Sequence, residues 1–231
     1  MHDHFFSVII LSAGHSTRMG FNKMLLKIGS KTVLERTVES FEECDFIDEI
    51  IIAAPEEDLD LYGDMVRERC FAKVTAVVPG GKTRQESVKN ALNAISDEAE
   101  YIAVHDGARP LVKPETTAAV ADAALTYGAA VAGVRSVDTL KEVDDDLMIK
   151  GTVDREACVQ VRTPQIFKKE ILLDAHAKAE KDGFLGTDEC MLVERLGYPI
   201  KVVESGRENI KLTYQDDIAF ITEVLRVRGK L

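Results

Sequence analysis

The stretch VIILSAGHSTRMGFNK, residues 8–23, passes from an apolar run directly into small, polar and basic residues. Such an apolar, β-branched run is typical of a strand in a parallel sheet that is covered on both faces. Gly14 and Gly20 permit the chain to bend and to approach a ligand closely. Arg18 and Lys23 bring two cations to the same turn. The stretch therefore predicts a buried first strand that opens into an anion-binding loop.

The loop lacks the G-K-[ST] ending of a Walker A motif and does not read G-x-G-x-x-G. Taken alone, it is also compatible with a glycine-rich connection that carries ordinary surface cations. The following segments of the chain have to decide between these two interpretations.

Apolar runs recur along the chain, with helical patterns between several of them. The runs read FSVIIL, EIIIAA, VTAVV, YIAVH, AAVAGV and IKVVE. Thr32 and Thr83 each open a T-x-x-E capping pattern, and Pro114 fits the first turn of a helix that continues to about Tyr127. The alternation predicts an α/β fold with a Rossmann-like, mostly parallel sheet and helices on both faces. In such sheets the ligand crevice lies beyond the carboxyl ends of the strands.

Residues 136–156 interrupt this alternation. They read as two extended arms around the turn Asp144-Asp145-Asp146, and we call them the hairpin arm. An isolated hairpin is only marginally stable, so we expect this arm to pack on a partner subunit. The alternative is a flexible surface loop that packs on no partner subunit. No shift in composition marks a second domain, so residues 1–231 are expected to form a single domain.

The composition restricts the possible partners. A net charge of −11 argues against a protein that coats nucleic acid, which usually needs a basic face. No apolar run approaches the roughly 18–20 residues that span a bilayer. The first eleven residues contain no lysine or arginine and so lack the basic start of a signal peptide. We therefore expect a cytoplasmic protein that contacts neither nucleic acid polymers nor membranes.

A second glycine-containing segment, PGGKTRQES, occupies residues 79–87. Here a strand ends in Gly80 and Gly81, and a capped helix follows. Backbone amides at a helix N-terminus, together with Arg84 and Ser87, suit the recognition of a polar or anionic ligand. A plain turn between a strand and a helix is the alternative.

A third segment, VHDGARP, places Asp106 directly after an apolar strand. A carboxylate at the crevice end of a sheet, beside cationic loops, is a natural ligand for Mg²⁺. Alternatively, Asp106 caps a turn and pairs with Arg109. We expect Arg109 to be structural, because a planar guanidinium can brace loops bidentately.

Later segments add further polar groups to the candidate set. These are Asp154, Arg155, Thr163, Thr187, Asp188 and Lys211. Thr187 is equally explained as a helix N-cap, with Asp188 and Glu189 in the first turn, and Thr213 as the cap of the last helix. Lys211 follows a polar-to-apolar switch at an expected strand end, although a single lysine is more often a solvated surface charge.

The order of these segments is more specific than any one of them. SAGHSTRMG…NK, GGKTRQESV, HDGARP, VDT, TVDR, TPQ, TDE and NIKLT follow one another from about residue 7 to about residue 224. In this order the chain resembles the cytidylyltransferase family of the non-mevalonate isoprenoid pathway. The resemblance implies a nucleotidyltransferase-type fold and a reaction of CTP with 2-C-methyl-D-erythritol 4-phosphate. It also implies a requirement for Mg²⁺ and a homodimer formed through the hairpin arm.

The resemblance also implies roles for individual residues. Arg18 and Lys23 match the pair that stabilises the transition state, and Arg155 and Lys211 match the pair that positions the acceptor phosphate. The nucleotide-binding positions are matched by Ser12, Ala13, Gly14, Gly81, Arg84 and Ser87. The positions around the acceptor and the metal are matched by Asp106, Thr139, Thr163 and Thr187.

The chain departs from the family pattern at four positions. Ser12 replaces the first alanine of an A-A-G loop, and Asn22 replaces the proline before Lys23. Lys82 stands where an acidic residue is usual, and Arg135 where proline is usual. None of these changes removes an expected catalytic cation.

Two alternatives remain open from the sequence. The first is a ribitol-5-phosphate cytidylyltransferase, which shares most of these motifs; HDGARP, rather than an ending in A-V-R-P, favours methylerythritol phosphate. The second is a catalytically inactive nucleotide-binding protein. The joint presence of Arg18, Lys23, Asp106, Arg155 and Lys211 argues against this second alternative.

Overall fold

The structure is a computed structural model that describes residues 4–14 and 21–231. Its strands are β1 (Phe6–Leu11), β2 (Lys27–Ile28), β3 (Lys31–Thr32), β4 (Glu49–Ala54), β5 (Val74–Pro79), β6 (Tyr101–Asp106), β7 (Ala129–Arg135), β8 (Leu140–Val143), β9 (Ile149–Val153), β10 (Val159–Lys168) and β11 (Lys201–Glu204). Its α-helices are α1 (Val33–Glu42), α2 (Leu59–Arg69), α3 (Arg84–Leu92), α4 (Pro114–Tyr127), α5 (Lys169–Lys181), α6 (Glu189–Glu194) and α7 (Asp216–Val227). All six apolar runs of the sequence form strands, as predicted.

The main sheet has seven strands in the order β11-β7-β10-β6-β1-β4-β5. β1 runs parallel to β4 and β6, and β4 runs parallel to β5. β10 is antiparallel to both of its neighbours, β6 and β7, while β11 is parallel to β7. The carboxyl ends of the other six strands therefore meet at one edge of the sheet, which confirms the predicted α/β fold with a mostly parallel sheet.

The sheet is covered by helices on both faces. Alternate residues of β1 point to opposite sides: Val8 and Ile10 belong to one buried cluster, and Ile9 and Leu11 to the other. The first cluster includes buried residues of α1, α2, α4 and α7, whereas the second includes residues of α3, α5 and α6. Burial on both faces explains why the strands read as continuous apolar runs.

The helix starts follow the predicted signals in three cases and differ in two. Thr32 and Thr83 each form a reciprocal capping box, and Pro114 occupies the first turn of α4. Thr187, however, does not cap α6: the cap is Asp188, whose carboxylate accepts the amide hydrogen of Met191.

Thr213 does not cap α7 either, because its hydroxyl donates to the carbonyl of Lys211 at 3.0 Å. The Asp217 carboxylate on α7 instead accepts the amide hydrogens of Thr213 and Tyr214 at 2.7 and 2.8 Å. A carboxylate in the first turn therefore takes the role that the sequence suggested for the threonine hydroxyl.

The hairpin arm forms as predicted. β8 and β9 pair antiparallel, and the Asp144 carboxylate accepts the amide hydrogens of Asp146 and Met148 within the turn. Leu147, at the tip, has a φ of 61° and is 79% exposed. Among the described helices, none is both long and apolar enough to cross a membrane.

Candidate active site

The two glycine-containing loops lie side by side at the carboxyl edge of the sheet. Ser12, directly after β1, donates its amide and its hydroxyl to the carbonyl of Ala53, at 2.8 and 2.6 Å. A Cβ added to Gly80 would lie only 2.2 Å from the Cβ of Ala13, so the loops touch where this glycine occurs. Ser12, Ala13 and Gly81 thus belong to two loops that touch at this edge of the sheet.

The start of α3 is hydrogen-bonded to the second of these loops. The Ser87 hydroxyl is buried; it donates to the carbonyl of Thr83 at 2.9 Å and accepts the amide hydrogen of Gly81 at 3.0 Å. Glu86 accepts the amide hydrogens of Lys82 and Thr83 at 2.7 and 3.3 Å. The side chains of Ser87 and Glu86 therefore hold the glycine turn in shape.

The carboxylate of Asp106, at the end of β6, gathers three cations. Lys211 Nζ lies 3.1 Å from Oδ2, Arg109 Nε donates to the same oxygen at 3.3 Å, and Arg84 Nε lies 3.6 Å from Oδ1. The cluster thus joins a predicted nucleotide-binding residue, Arg84, to a predicted acceptor-binding residue, Lys211. Lys211 does not follow a strand directly, as the sequence had suggested; it lies between β11 and α7.

Electrostatics keep Asp106 ionised. Burial alone would raise the pKa of its carboxyl, but Lys211, Arg84 and Arg109 hold that pKa well below its usual range. The pKa of Arg84 is reduced by burial but is raised overall by Glu189 and Asp106. At Asp106 itself three cations face one carboxylate, and this local positive charge suits an anionic ligand.

A buried network supports Asp106 from behind. Thr163 Oγ1 accepts the amide hydrogen of Asp106 at 3.1 Å and lies 3.1 Å from Nδ1 of His105, whose Nε2 is 3.3 Å from the carbonyl of Arg109. These contacts fit a neutral ring with Nε2 protonated. Burial correspondingly lowers the pKa of His105 to about 3. Thr163 therefore positions Asp106 through the backbone.

Arg109 and Asn209 link this network to the segment before α7. Arg109 Nη1 donates to the carbonyl of Asn209 at 3.0 Å, and Asn209 Nδ2 donates to the carbonyl of Thr163 at 2.9 Å. Arg109 also contacts Asp106, so its guanidinium braces two loops. These contacts match the structural role expected of Arg109.

Lys23 reaches the same segment from the first loop. Its Nζ donates to the carbonyl of Leu212, the residue after Lys211, at 2.6 Å. Asn22, at the position where the family has proline, accepts the amide hydrogen of Met24 and thereby caps a 3₁₀ turn, Lys23–Leu25. Arg18 and Gly20 lie outside the described residues. Gly14 is the last described residue before that gap, and it is exposed.

The side chains of three predicted acceptor-binding residues are exposed or contact groups other than the Asp106 carboxylate. Thr139 is exposed at the base of the hairpin arm. Arg155 donates to the carbonyl of Val137 at 3.1 Å and pairs with Glu156 at 3.4 Å. Thr187 is exposed, and its hydroxyl contacts the sulfur of Met191 at 3.1 Å.

Two buried residues of this region were not predicted as site residues. Glu189, which the sequence suggested only as a first-turn charge, accepts two hydrogen bonds from Arg84 Nη1, at 2.8 and 2.7 Å. Gln165 donates to Oδ2 of the cap residue Asp188 at 2.9 Å. The position directly after a helix cap gives no sequence signal of burial, so the contact of Glu189 with Arg84 could not be foreseen.

The metal-ligating side chains near Asp106 restrict which metal ion the site could hold. Within residues 4–14 and 21–231, no group of three or more acidic, histidine or cysteine residues is arranged to bind an ion. Asp106 offers a single carboxylate. Mg²⁺ often binds through one or two carboxylates and completes its shell with phosphate oxygens and water. The residues present thus fit an ion that arrives with a nucleotide.

A mostly parallel sheet whose carboxyl edge carries glycine-containing loops and a carboxylate that holds three cations is typical of α/β nucleotide-binding enzymes such as the nucleotidyltransferases. A family model described as 2-C-methyl-D-erythritol 4-phosphate cytidylyltransferase matches residues 6–227. The chain belongs to this family.

Individual relatives agree over nearly the whole chain. The 2-C-methyl-D-erythritol 4-phosphate cytidylyltransferase of Caldanaerobacter subterraneus is 41% identical over 223 residues, which cover 95% of this chain and 98% of that protein. The protein of the same name from Geobacillus thermodenitrificans is 38% identical, with 96% and 98% covered. Among solved structures, 4-diphosphocytidyl-2C-methyl-D-erythritol synthase from Anaerococcus prevotii superposes with a TM-score of 0.86 at 30% identity, covering 96% of this chain and 99% of that one.

Proposed function

We propose that this chain catalyses the reaction of CTP with 2-C-methyl-D-erythritol 4-phosphate to give the cytidine diphosphate derivative and pyrophosphate. The observation that carries this proposal is the cation cluster on Asp106, which joins Arg84 of the nucleotide side to Lys211 of the acceptor side. Family membership over residues 6–227 supports the same reaction.

The chemistry requires no strong general base. The second pKa of a phosphate monoester is near 6, so the acceptor phosphate is mostly dianionic at neutral pH. One of its oxygens forms a bond to the α-phosphorus of CTP. The bond from that phosphorus to the oxygen bridging to the β-phosphate breaks, and pyrophosphate leaves with the electron pair. The main obstacle is the meeting of two anions, which positioning and fixed positive charge overcome.

The side chains divide between the two substrates. Arg18 and Lys23 stabilise the charge that develops on the α-phosphate and the leaving group. Arg155 and Lys211 hold the acceptor phosphate in line. The contact of Lys23 with the carbonyl of Leu212 supports this division, because it brings the first loop next to Lys211.

The nucleotide rests on the two touching loops. Ser12, Ala13 and Gly14 on one side, and Gly81 on the other, present backbone groups to CTP, while the Arg84 guanidinium contacts it from the start of α3. The close approach between Gly80 and Ala13 supports this placement, because it leaves no room for a side chain between the loops.

Magnesium would be held by Asp106 together with phosphate oxygens of the nucleotide. When bound, it would neutralise charge on the triphosphate during transfer. Asp106 therefore has two functions: it orders Lys211 and Arg109, and it offers an oxygen ligand to the incoming metal.

The functional unit is a homodimer built through the hairpin arm. The arm exposes several large apolar side chains, an arrangement that marks interaction surfaces: Val137, Val143, Leu147, Met148, Ile149 and Val153. Arg135, a departure from the family pattern, donates to the carbonyl of Glu156 at 3.2 Å and so ties the two ends of the arm together. The enzyme is cytoplasmic in this proposal.

The test is an assay of pyrophosphate release from CTP with two acceptors in parallel. We expect turnover with 2-C-methyl-D-erythritol 4-phosphate to clearly exceed turnover with ribitol 5-phosphate. The reverse preference would identify the ribitol-specific class instead. Release with neither acceptor, by a folded protein that binds CTP, would indicate an inactive nucleotide-binding protein.

A further inference from the structure

Glu189 is the most deeply buried carboxylate of the crevice region, and the mechanism above does not use it. Its side chain is 1% exposed, and it is the first residue of α6, directly after the cap residue Asp188. Burial raises the pKa of Glu189, while Arg84 opposes this effect. A carboxylate is costly to bury, so one in this position needs its partner to compensate.

That partner is Arg84. Both oxygens of Glu189 accept from Nη1 of Arg84, at 2.8 and 2.7 Å, across 105 positions of sequence. Arg84 Nε meanwhile lies 3.6 Å from Asp106. Within the described residues Nη2 forms no hydrogen bond, so this edge of the guanidinium is left for a ligand.

We propose that Glu189 is a positioning residue that fixes the guanidinium of Arg84 in the orientation that binds the nucleotide. An arginine side chain otherwise has many rotamers, and holding it in advance lowers the entropic cost of binding. The inference rests on the proposed function for the identity of the nucleotide, but the Arg84–Glu189 contact exists without it.

Gln85 provides a matched control. Its side chain links the same two segments: Nε2 donates to the carbonyl of Phe184 at 3.2 Å, and Oε1 accepts the amide hydrogen of Gly186 at 3.0 Å. Gln85→Ala therefore removes a tether between the start of α3 and the segment before α6 without touching the guanidinium. A merely structural role for Glu189 would give Gln85→Ala and Glu189→Gln the same effect on nucleotide binding.

The experiment measures CTP affinity by calorimetry, and kcat and both KM values by pyrophosphate release, for Glu189→Gln, Gln85→Ala, Arg84→Ala and the double variant Arg84→Ala with Glu189→Gln. Glu189→Gln should weaken CTP binding about 10-fold to 100-fold, the range for losing a charged hydrogen-bond pair. The KM of the acceptor should change much less, and Gln85→Ala should bind CTP more tightly than Glu189→Gln does.

In the Arg84→Ala background, Glu189→Gln should cause no further loss of CTP affinity, because residues that act as a unit are not additive. An additive loss would overturn the proposal, as would unchanged CTP affinity in Glu189→Gln. The double variant also removes the buried charge that Arg84→Ala leaves unpaired, so it guards against a simple failure to fold.

A nucleotide-free measurement separates this inference from the proposed function. NMR of the arginine side chains should show restricted rotation of the Arg84 guanidinium in the native protein, and this restriction should be lost in Glu189→Gln. Free rotation in the native protein would overturn the positioning role. If the native protein shows restricted rotation of Arg84 but does not turn over CTP, the proposed function is refuted and the positioning role of Glu189 is not.

Discussion

Lys211 Nζ lies 3.1 Å from Asp106 Oδ2, although the two residues are far apart in sequence. This contact places the lysine that we propose binds the acceptor on the carboxylate that also pairs with Arg84. Lys211→Ala should therefore raise the KM of the acceptor and lower kcat. A combined loss of about 10²–10³ in kcat/KM is expected, the range for one preorganised charge-stabilising group.

Steady-state kinetics with the acceptor varied at saturating CTP measure this effect. Asp106 keeps Arg84 and Arg109 in the variant, so the melting temperature should change little. Lys178→Ala is the control, because Lys178 pairs with Asp182 at 2.9 Å on the surface of α5. Unchanged acceptor KM and kcat in Lys211→Ala would remove Lys211 from the site.

Gly80→Ala tests the contact between the two glycine-containing loops. The added Cβ would lie 2.2 Å from Ala13 Cβ, so the loops must separate. Because a displacement of about 1 Å can cost 100-fold in rate, kcat/KM for CTP should fall by up to about that factor. The measurement is initial rate against CTP concentration.

Gly63→Ala is the matched control within α2. Its Cβ would meet Arg67 Nη1 at an ordinary 3.4 Å. Alanine is favoured over glycine inside a helix by about 0.5–1 kcal/mol, so this variant should be slightly more stable with unaltered turnover. If both variants kept the native CTP kinetics, the loops would not form the nucleotide site.

Aspartate substitutions in the hairpin arm test the dimer. Met148 and Ile149 are 66% and 65% exposed, and charges at these positions would have to be buried in an arm-mediated interface. Met148→Asp with Ile149→Asp should convert a dimer into a monomer in sedimentation velocity, with unchanged circular dichroism. Leu61→Asp, on α2, should leave the dimer intact, since Leu61 is 48% exposed away from the arm. A native protein that sediments as a monomer would contradict the proposal.

Stability should depend on pH through His105. Burial lowers its pKa to about 3, with Asp106 opposing this shift and Arg109 and Lys211 adding to it. Above the ordinary histidine pKa of 6.5 the ring is neutral in the folded and the unfolded state, so His105 causes no loss of stability there. As the pH falls from 6.5 toward 3, the unfolded state binds the proton first, and the free energy of unfolding decreases by up to about 1.4 kcal/mol per pH unit.

Urea unfolding between about pH 5 and 7, where histidines titrate, measures this slope. His105→Gln should reduce the slope, even if the variant is less stable at every pH. His176→Gln should do the same, because burial lowers the pKa of His176 to about 4. Identical slopes in the native protein and both variants would contradict the neutral, buried state of these rings.

The sequence predicted the parallel strands and the loops after them because both depend on local signals. Apolar runs, T-x-x-E patterns and glycine pairs lie within a few residues of one another. β10 was not predicted because Pro164 lies inside it, and proline argues against a central strand. The structure accommodates Pro164 where the pairing with β7 shifts register between Val161 and Gln165.

The composition of the site was less predictable than its location. Asp106 was recognised from its place after a strand, but the arrival of Arg84 and Lys211 on the same carboxylate depends on tertiary packing. Glu189 was hidden for the same reason: only the fold brings α6 beside the start of α3. Arg155 was predicted from its motif, yet within one chain its side chain bonds to the carbonyl of Val137 and pairs with Glu156, both in the hairpin arm.

The central claim is that an oxygen of the acceptor phosphate forms the new bond to the α-phosphorus of CTP, and isotope transfer tests it most directly. 2-C-methyl-D-erythritol 4-phosphate labelled with ¹⁸O in its terminal phosphate oxygens is converted with unlabelled CTP, and the products are read by ³¹P NMR. We predict a cytidine diphosphate product with ¹⁸O in the bridge between its two phosphorus atoms, and pyrophosphate without label. An unlabelled bridge, or no cytidine diphosphate product at all, would contradict the account.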